Sequence, residues 1–227
     1  MMSKLFLFYI LYWMLGNPII ALLVILLISF TIDRTYFGFV PDPLKVFRTA
    51  GRINELRRIV AINPHDARSL KELGIFMFEK KKYGNAVEYF ERAANKMSDD
   101  PEFNCYYGIS IAKNGDIRKG REYVAAALKV SPNLKYGEPY LMMADVFIDN
   151  NDYNSALPLL ESFEKIHSSS SRGFYQMGLV KLKLGMKEEG MSYLKKSIEV
   201  FKASPRFRRK LDRKWAWKAR ALLKKGL

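Results

Sequence analysis

A small residue recurs along this chain at Gly74, Gly108, Ala144 and Gly178, at spacings of 34, 36 and 34 residues. Twelve positions beyond each stands a second small residue: Ala86, Gly120, Ala156 and Gly190. Four further on come Phe90, Val124, Leu160 and Leu194, and three beyond those Ala93, Ala127, Phe163 and Ser197. Four positions before each first small residue stand Leu70, Asn104, Tyr140 and Phe174. Self-similarity at such a period is the signature of a stacked array, in which one supersecondary unit buries its apolar face against the next. A small residue lets a second helix cross close by, and the large residue four positions away fills the adjoining gap.

Polar turns fall inside each unit, at Lys80–Gly84, Asn114–Asp116, Asp149–Asp152 and Leu184–Lys187. Breaks between units carry Pro64, Pro101, Pro132 and the serine run 168–171. With these features the chain resembles the tetratricopeptide repeat (TPR) family, most fully in Leu70-x2-Leu73-Gly74-x2-Met77 followed by Ala86-x3-Phe90-x2-Ala93. The likeness covers residues 67–205 as four units, with a half-unit between Gly51 and Pro64. Departures are Asn104, Gly120, Lys181 and a two-residue insertion around Lys135–Glu138.

The resemblance implies a right-handed α-solenoid of antiparallel helix pairs that binds a peptide or protein on its concave face and performs no catalysis. By family offsets, the first helix of each pair lines that groove. The candidates are Lys71, Ile75, Phe78, Tyr106, Ile109, Lys113, Leu141, Asp145, Arg172, Tyr175 and Leu179. Their mix of apolar anchors and both charge signs suits a peptide helix or strand. Ile75 and Tyr106 occupy positions where a clamp for acidic C-terminal peptides would need asparagines, so that specificity is not carried over.

From Leu5 to Ile32 there are 28 residues without a charge. Such a run is sufficient for a transmembrane helix. Asn17-Pro18 interrupts it near the middle, leaving pieces too short for two ordinary spans, so one bent transmembrane helix is expected, with a re-entrant hairpin as the alternative. Aromatics at Tyr9, Tyr12 and Trp13, then Tyr36, Phe37 and Phe39, suit interfacial belts. The apolar run is about twice a signal peptide's. Lys4 precedes it, whereas Arg34, Lys45, Arg48, Arg52, Arg57 and Arg58 follow, so the positive-inside rule places the C-terminal part in the cytoplasm.

Of the formal charge of +15, residues 206–227 hold +9, with Asp212 as the one acid. Arg206, Arg208, Arg209, Lys210, Arg213 and Lys214 lead this basic segment. Phe207, Leu211, Trp215 and Leu222, with Ala219 between, share a helical face, so the plain reading is a solvated capping helix. The alternatives are contact with anionic lipid or, with no accompanying recognition motif, with nucleic acid.

The expected architecture is all-α. Residues 1–35 form an anchor, 36–66 a linker and half-repeat, 67–205 four repeats and 206–227 a basic cap. A hydrophobic fraction of 49% excludes bulk disorder. A single cysteine, Cys105, excludes a disulfide framework, and two loop histidines, His65 and His167, offer no ligand set for a metal. No catalytic, cofactor or metal site is expected. The functional expectation is a membrane-tethered adaptor or assembly protein with a protein or peptide partner. The alternative is a tethered domain that binds anionic lipid or nucleic acid through its basic tail.

Overall fold

The computed structural model describes residues 2–32 and 43–224. The anchor–linker boundary with Tyr36, Phe37 and Phe39, the side chains of Lys4 and Arg206, and Lys225 lie outside the described residues. All regular elements among the described residues are helical. The chain divides into two compact units, residues 1–48 and 49–227.

In the first unit, α1 (Met2–Leu15) and α2 (Pro18–Ile32) pack on each other. This corrects the expected single bent transmembrane helix. The interruption is a complete stop and restart rather than a kink. Gly16 takes a left-handed φ of 64° and donates its N–H to the Tyr12 carbonyl at 2.9 Å, which closes α1. Asn17 then caps α2, its Oδ1 accepting from the Ile19 N–H at 2.9 Å, and Pro18 takes the first helical position. The 14 and 15 residues of the two helices reach about 21 and 22 Å, against about 30 Å of hydrocarbon. Among the described residues, no helix is long and apolar enough to cross a membrane. Ala21 is buried, but Phe6, Tyr9, Trp13, Leu23 and Leu27 are exposed.

The second unit begins within α3 (Pro43–Ile62), which buries Ile53, Leu56 and Val60. Four helix pairs follow. They are α4 (Ala67–Glu79) with α5 (Tyr83–Met97), α6 (Pro101–Lys113) with α7 (Ile117–Val130), α8 (Glu138–Asp149) with α9 (Tyr153–Ile166), and α10 (Ser171–Lys183) with α11 (Lys187–Ala203). A last helix, α12 (Arg206–Lys224), lies on α11 and α10. Asp66, Asp100, Asp116, Asp152 and Ser170 cap their helices by accepting from N–H groups of the first turn.

Every repeated position among these pairs is buried except Tyr140, which is half-buried. A Cβ on Gly108 would stand 2.6 Å from the Gly120 carbonyl oxygen, and one on Gly74 would stand 2.6 Å from the Phe90 ring. The departures are absorbed chemically. Buried Asn104 donates to the Ser98 carbonyl at 2.6 Å, and buried Lys181 reaches Glu189 at 2.5 Å. Ser197 and Ser171 bond each other where larger apolar residues would pack.

The packing face of α12 includes Ala219 of the expected face but leaves out Phe207 and Leu211. Ala216 and Ala219 are fully buried, with Asp212 beside them, whereas Phe207 and Leu211 are exposed. Trp215 and Leu222 are half-buried. The two alanines permit the close helix crossing, so the helix turns its small residues inward and its larger Phe207 and Leu211 outward.

Candidate functional site

The first helices of the pairs form one row. α4 meets α6 and α6 meets α8, while Arg172 of α10 bridges back to α8. Ion pairs run along this row from helix to helix. Arg52 of α3 makes a bidentate contact with Glu72 of α4 at 2.7 and 2.8 Å. Lys71 of α4 reaches Asp100 at 2.6 Å and Glu102 of α6 at 2.8 Å. Lys113 of α6 reaches Asp149 of α8 at 2.5 Å. Arg172 of α10 pairs with Asp145 of α8 at 2.6 Å and with Glu138, and Gln176 also donates to Asp145.

Burial disfavours the charges of Asp100 and Glu102, but the hydrogen bonds from Lys71, and from Lys135 to Glu102, hold both carboxyls below their ordinary values. Burial likewise opposes the charges of Lys71 and Arg172, and their acidic partners outweigh it and raise both. The face is therefore largely self-neutralised.

Aromatic rings sit between these pairs. Phe78 meets Tyr106 edge-on with centroids 5.2 Å apart, and Tyr83 at 5.7 Å. Lys135 lies 4.6 Å over the Tyr106 ring, donates to its hydroxyl at 3.0 Å and pairs with Glu102 at 2.5 Å. Lys135 belongs to the turn Leu134–Gly137, where Lys135 (φ 46°, ψ 43°), Tyr136 (φ 56°, ψ 36°) and Gly137 (φ 81°) are all left-handed. Tyr136 is 80% exposed.

Lys71, Ile75, Phe78, Tyr106, Lys113, Asp145, Arg172 and Leu179 keep part of their surface on this row. Ile109 and Leu141 do not. Each is 1% exposed within the core between pairs, which corrects their assignment to the groove. Tyr175 is partly covered by the cap, its ring 5.4 Å from Trp215, which in turn carries Arg172, Lys214 and Lys218 over its face.

Glu102 falls at a groove position by the family offsets, whereas Asp100, Lys135 and Tyr136 do not. The two-residue insertion was the signal that marked the last two. Of the basic candidates, Arg208 faces Asp212 and His167, Arg209 bonds the Ser204 and Lys202 carbonyls, and Lys210 and Lys214 are exposed. Arg213 is half-buried. Cys105 is buried, and burial pushes its thiol up to about 12, which disfavours the thiolate. Among the described residues, no group of side chains could hold a metal ion.

Residues 171–203, which span α10 and α11, match the family model described as tetratricopeptide repeat. The other three pairs repeat the same buried register. Residues 171–203 are a tetratricopeptide repeat, and the other pairs share its fold. The chain's TPR fold is similar to that of MamA in two crystal structures. One has 17% identity, a TM-score of 0.60 and coverage of 73% of this chain and 98% of that one. The other has 16% identity, a TM-score of 0.59 and coverage of 70% and 85%. MamA from Desulfovibrio magneticus RS-1 is similar at 20% identity, covering 70% of this chain and 92% of that one, with a TM-score of 0.52. No curated protein sequence matches the chain.

Proposed function

We propose that the solenoid is a non-catalytic docking scaffold. In this reading a peptide or protein segment lies along the first-helix face, and the apolar α1–α2 pair holds the chain at a membrane. TPR arrays serve protein–protein interaction, and this chain's own geometry supports that use. The observation that carries the reading is the turn Leu134–Gly137. Each left-handed non-glycine residue costs roughly 1–2 kcal/mol, and such strain persists where surrounding contacts over-determine it, often at ligand clamps. Here the contacts are those of Lys135 with Glu102 and Tyr106, and the product is an exposed tyrosine next along the chain. Because the charges of the row are paired internally, a partner gains little by net charge. It is recognised by an apolar or aromatic anchor beside Phe78 and Tyr106.

Display of a peptide library against the full chain, with a Tyr106→Ala/Tyr136→Ala variant as comparator, tests this. Selected peptides should bind the variant at least about ten-fold more weakly, the scale of a single hot-spot loss, while circular dichroism shows the variant folded at the assay temperature. Equal binding to both proteins would refute the reading.

Membrane attachment rests on the exposed apolar side chains of α1 and α2, which carry no charge from Leu5 to Ile32. Each is shorter than a bilayer core, so they enter as a wedge whose two flanks stay on one side. The basic residues from Arg48 onward favour the cytoplasm as that side. Protease added to right-side-out vesicles should leave the repeats intact. Their digestion would reverse the orientation.

A further inference from the structure

We propose that the outward face of α12 is a separate membrane-contact site that seats in the headgroup region of a bilayer rich in anionic lipid. The proposal is independent of the first-helix face. Phe207, Leu211, Lys214, Trp217 and Lys218 follow one another at steps of three, four and one along a 19-residue helix, and all are exposed. Phe207 is 76%, Leu211 72% and Trp217 61% exposed. A terminal helix that faces only water needs a polar outer face. This one presents three large apolar side chains among lysines, the composition of an interfacial helix.

The acid of the segment is turned away. Asp212 is buried on the packed side, so it does not offset the outward charge. Lys214 and Lys218 sit 4.7 and 4.9 Å over the Trp215 ring, which fixes their positions beside Leu211. Long lysine stems lie along apolar surface while their ammonium groups stay at headgroup level. The segment's net charge of +9 complements an anionic surface. A nucleic acid would engage the lysines and stack on the aromatic rings, but it offers Leu211 no apolar phase to enter. A bilayer interface accommodates all three anchors and the lysines together.

The test uses the full chain carrying Trp13→Phe and Trp215→Phe, so that Trp217 is its one tryptophan. It is mixed with brominated-lipid vesicles of phosphatidylcholine alone, or of phosphatidylcholine with about one-third phosphatidylglycerol. On anionic vesicles, Trp217 emission should shift to the blue, be quenched by the brominated lipid and lose at least about half of its acrylamide quenching, the protection given by a burial depth of a few ångströms. On neutral vesicles it should stay as open as in buffer, even where flotation shows the chain held through α1–α2. Raising salt from about 0.05 to 0.5 M should reverse the protection. Phe207→Ser with Leu211→Ser should weaken it about ten-fold or more, and because both residues are exposed, melting should not change.

Trp217 equally open to acrylamide on both vesicle types would overturn the proposal. So would a Trp217 response to a single-stranded oligonucleotide without one to anionic vesicles, which would assign the face to nucleic acid. Failure to float on neutral vesicles would count against the α1–α2 wedge alone.

Discussion

Lys81 stands at a position that the other pairs fill with Gly115, Asn151 and Gly185, spaced 34, 36 and 34 residues apart. All four have positive φ because the turn from first to second helix closes through a left-handed residue. Lysine carries a Cβ penalty there that glycine does not, and its side chain is exposed. Lys81→Gly should therefore raise stability by about 1 kcal/mol, read as a higher denaturant midpoint at unchanged slope. Gly108 is the opposite case. Any side chain at that point meets the Gly120 backbone, which cannot swing aside. Gly108→Ala should cost about 1–3 kcal/mol in the same assay, whereas Gly84→Ala, whose nearest neighbour is the Asn114 side chain at 3.4 Å, should be close to neutral. The glycine spacing was legible in the sequence, but the left-handed role of Lys81 was not, because a lysine carries no turn signal.

Among the elements, α12 shows how far periodicity reaches. Its apolar residues mark a helical face at sequence level. The crossing with α11 and α10 nevertheless runs through Ala216 and Ala219, because close approach favours small side chains over large ones. The same rotation buries Asp212. Burial raises the Asp212 carboxyl above its ordinary value, although Arg208 pulls the other way. A raised folded pKa means that the ionised form is disfavoured in the fold. Its contribution is best below the unfolded value and is lost as pH rises through the folded one. Asp212→Asn should therefore raise the melting temperature at neutral pH and make no difference below about pH 3.5, where the acid is protonated in both states. The α1–α2 break teaches a related lesson. Gly16, Asn17 and Pro18 were visible as a kink signal, but the geometry of two successive caps makes them a full interruption.

At the scale of the whole solenoid, stability comes from each pair and its interface with the next. The ion pairs of the first-helix row tie those interfaces together, and they are acid-labile. Asp100 and Glu102 have lowered carboxyl values, so their contribution is present above the ordinary carboxylate range and is lost as pH falls through the lowered values. Melting temperature should accordingly fall below about pH 4, and Lys71→Met should flatten that acid limb. The array was already specified by the sequence. A 34-residue recurrence of small and large residues has no other compact solution, since each unit must bury its apolar face against a neighbour. The sequence also specified that the charge gathers at one end. Which side chains stay accessible depends on the packing between helices. Ile109 and Leu141 hold groove positions by register but fill the core between pairs. Tyr175 is partly covered by Trp215, and Tyr136 is thrust outward by a strained turn. Accessibility depends on what neighbouring helices bring to the same point, which no one-dimensional period specifies.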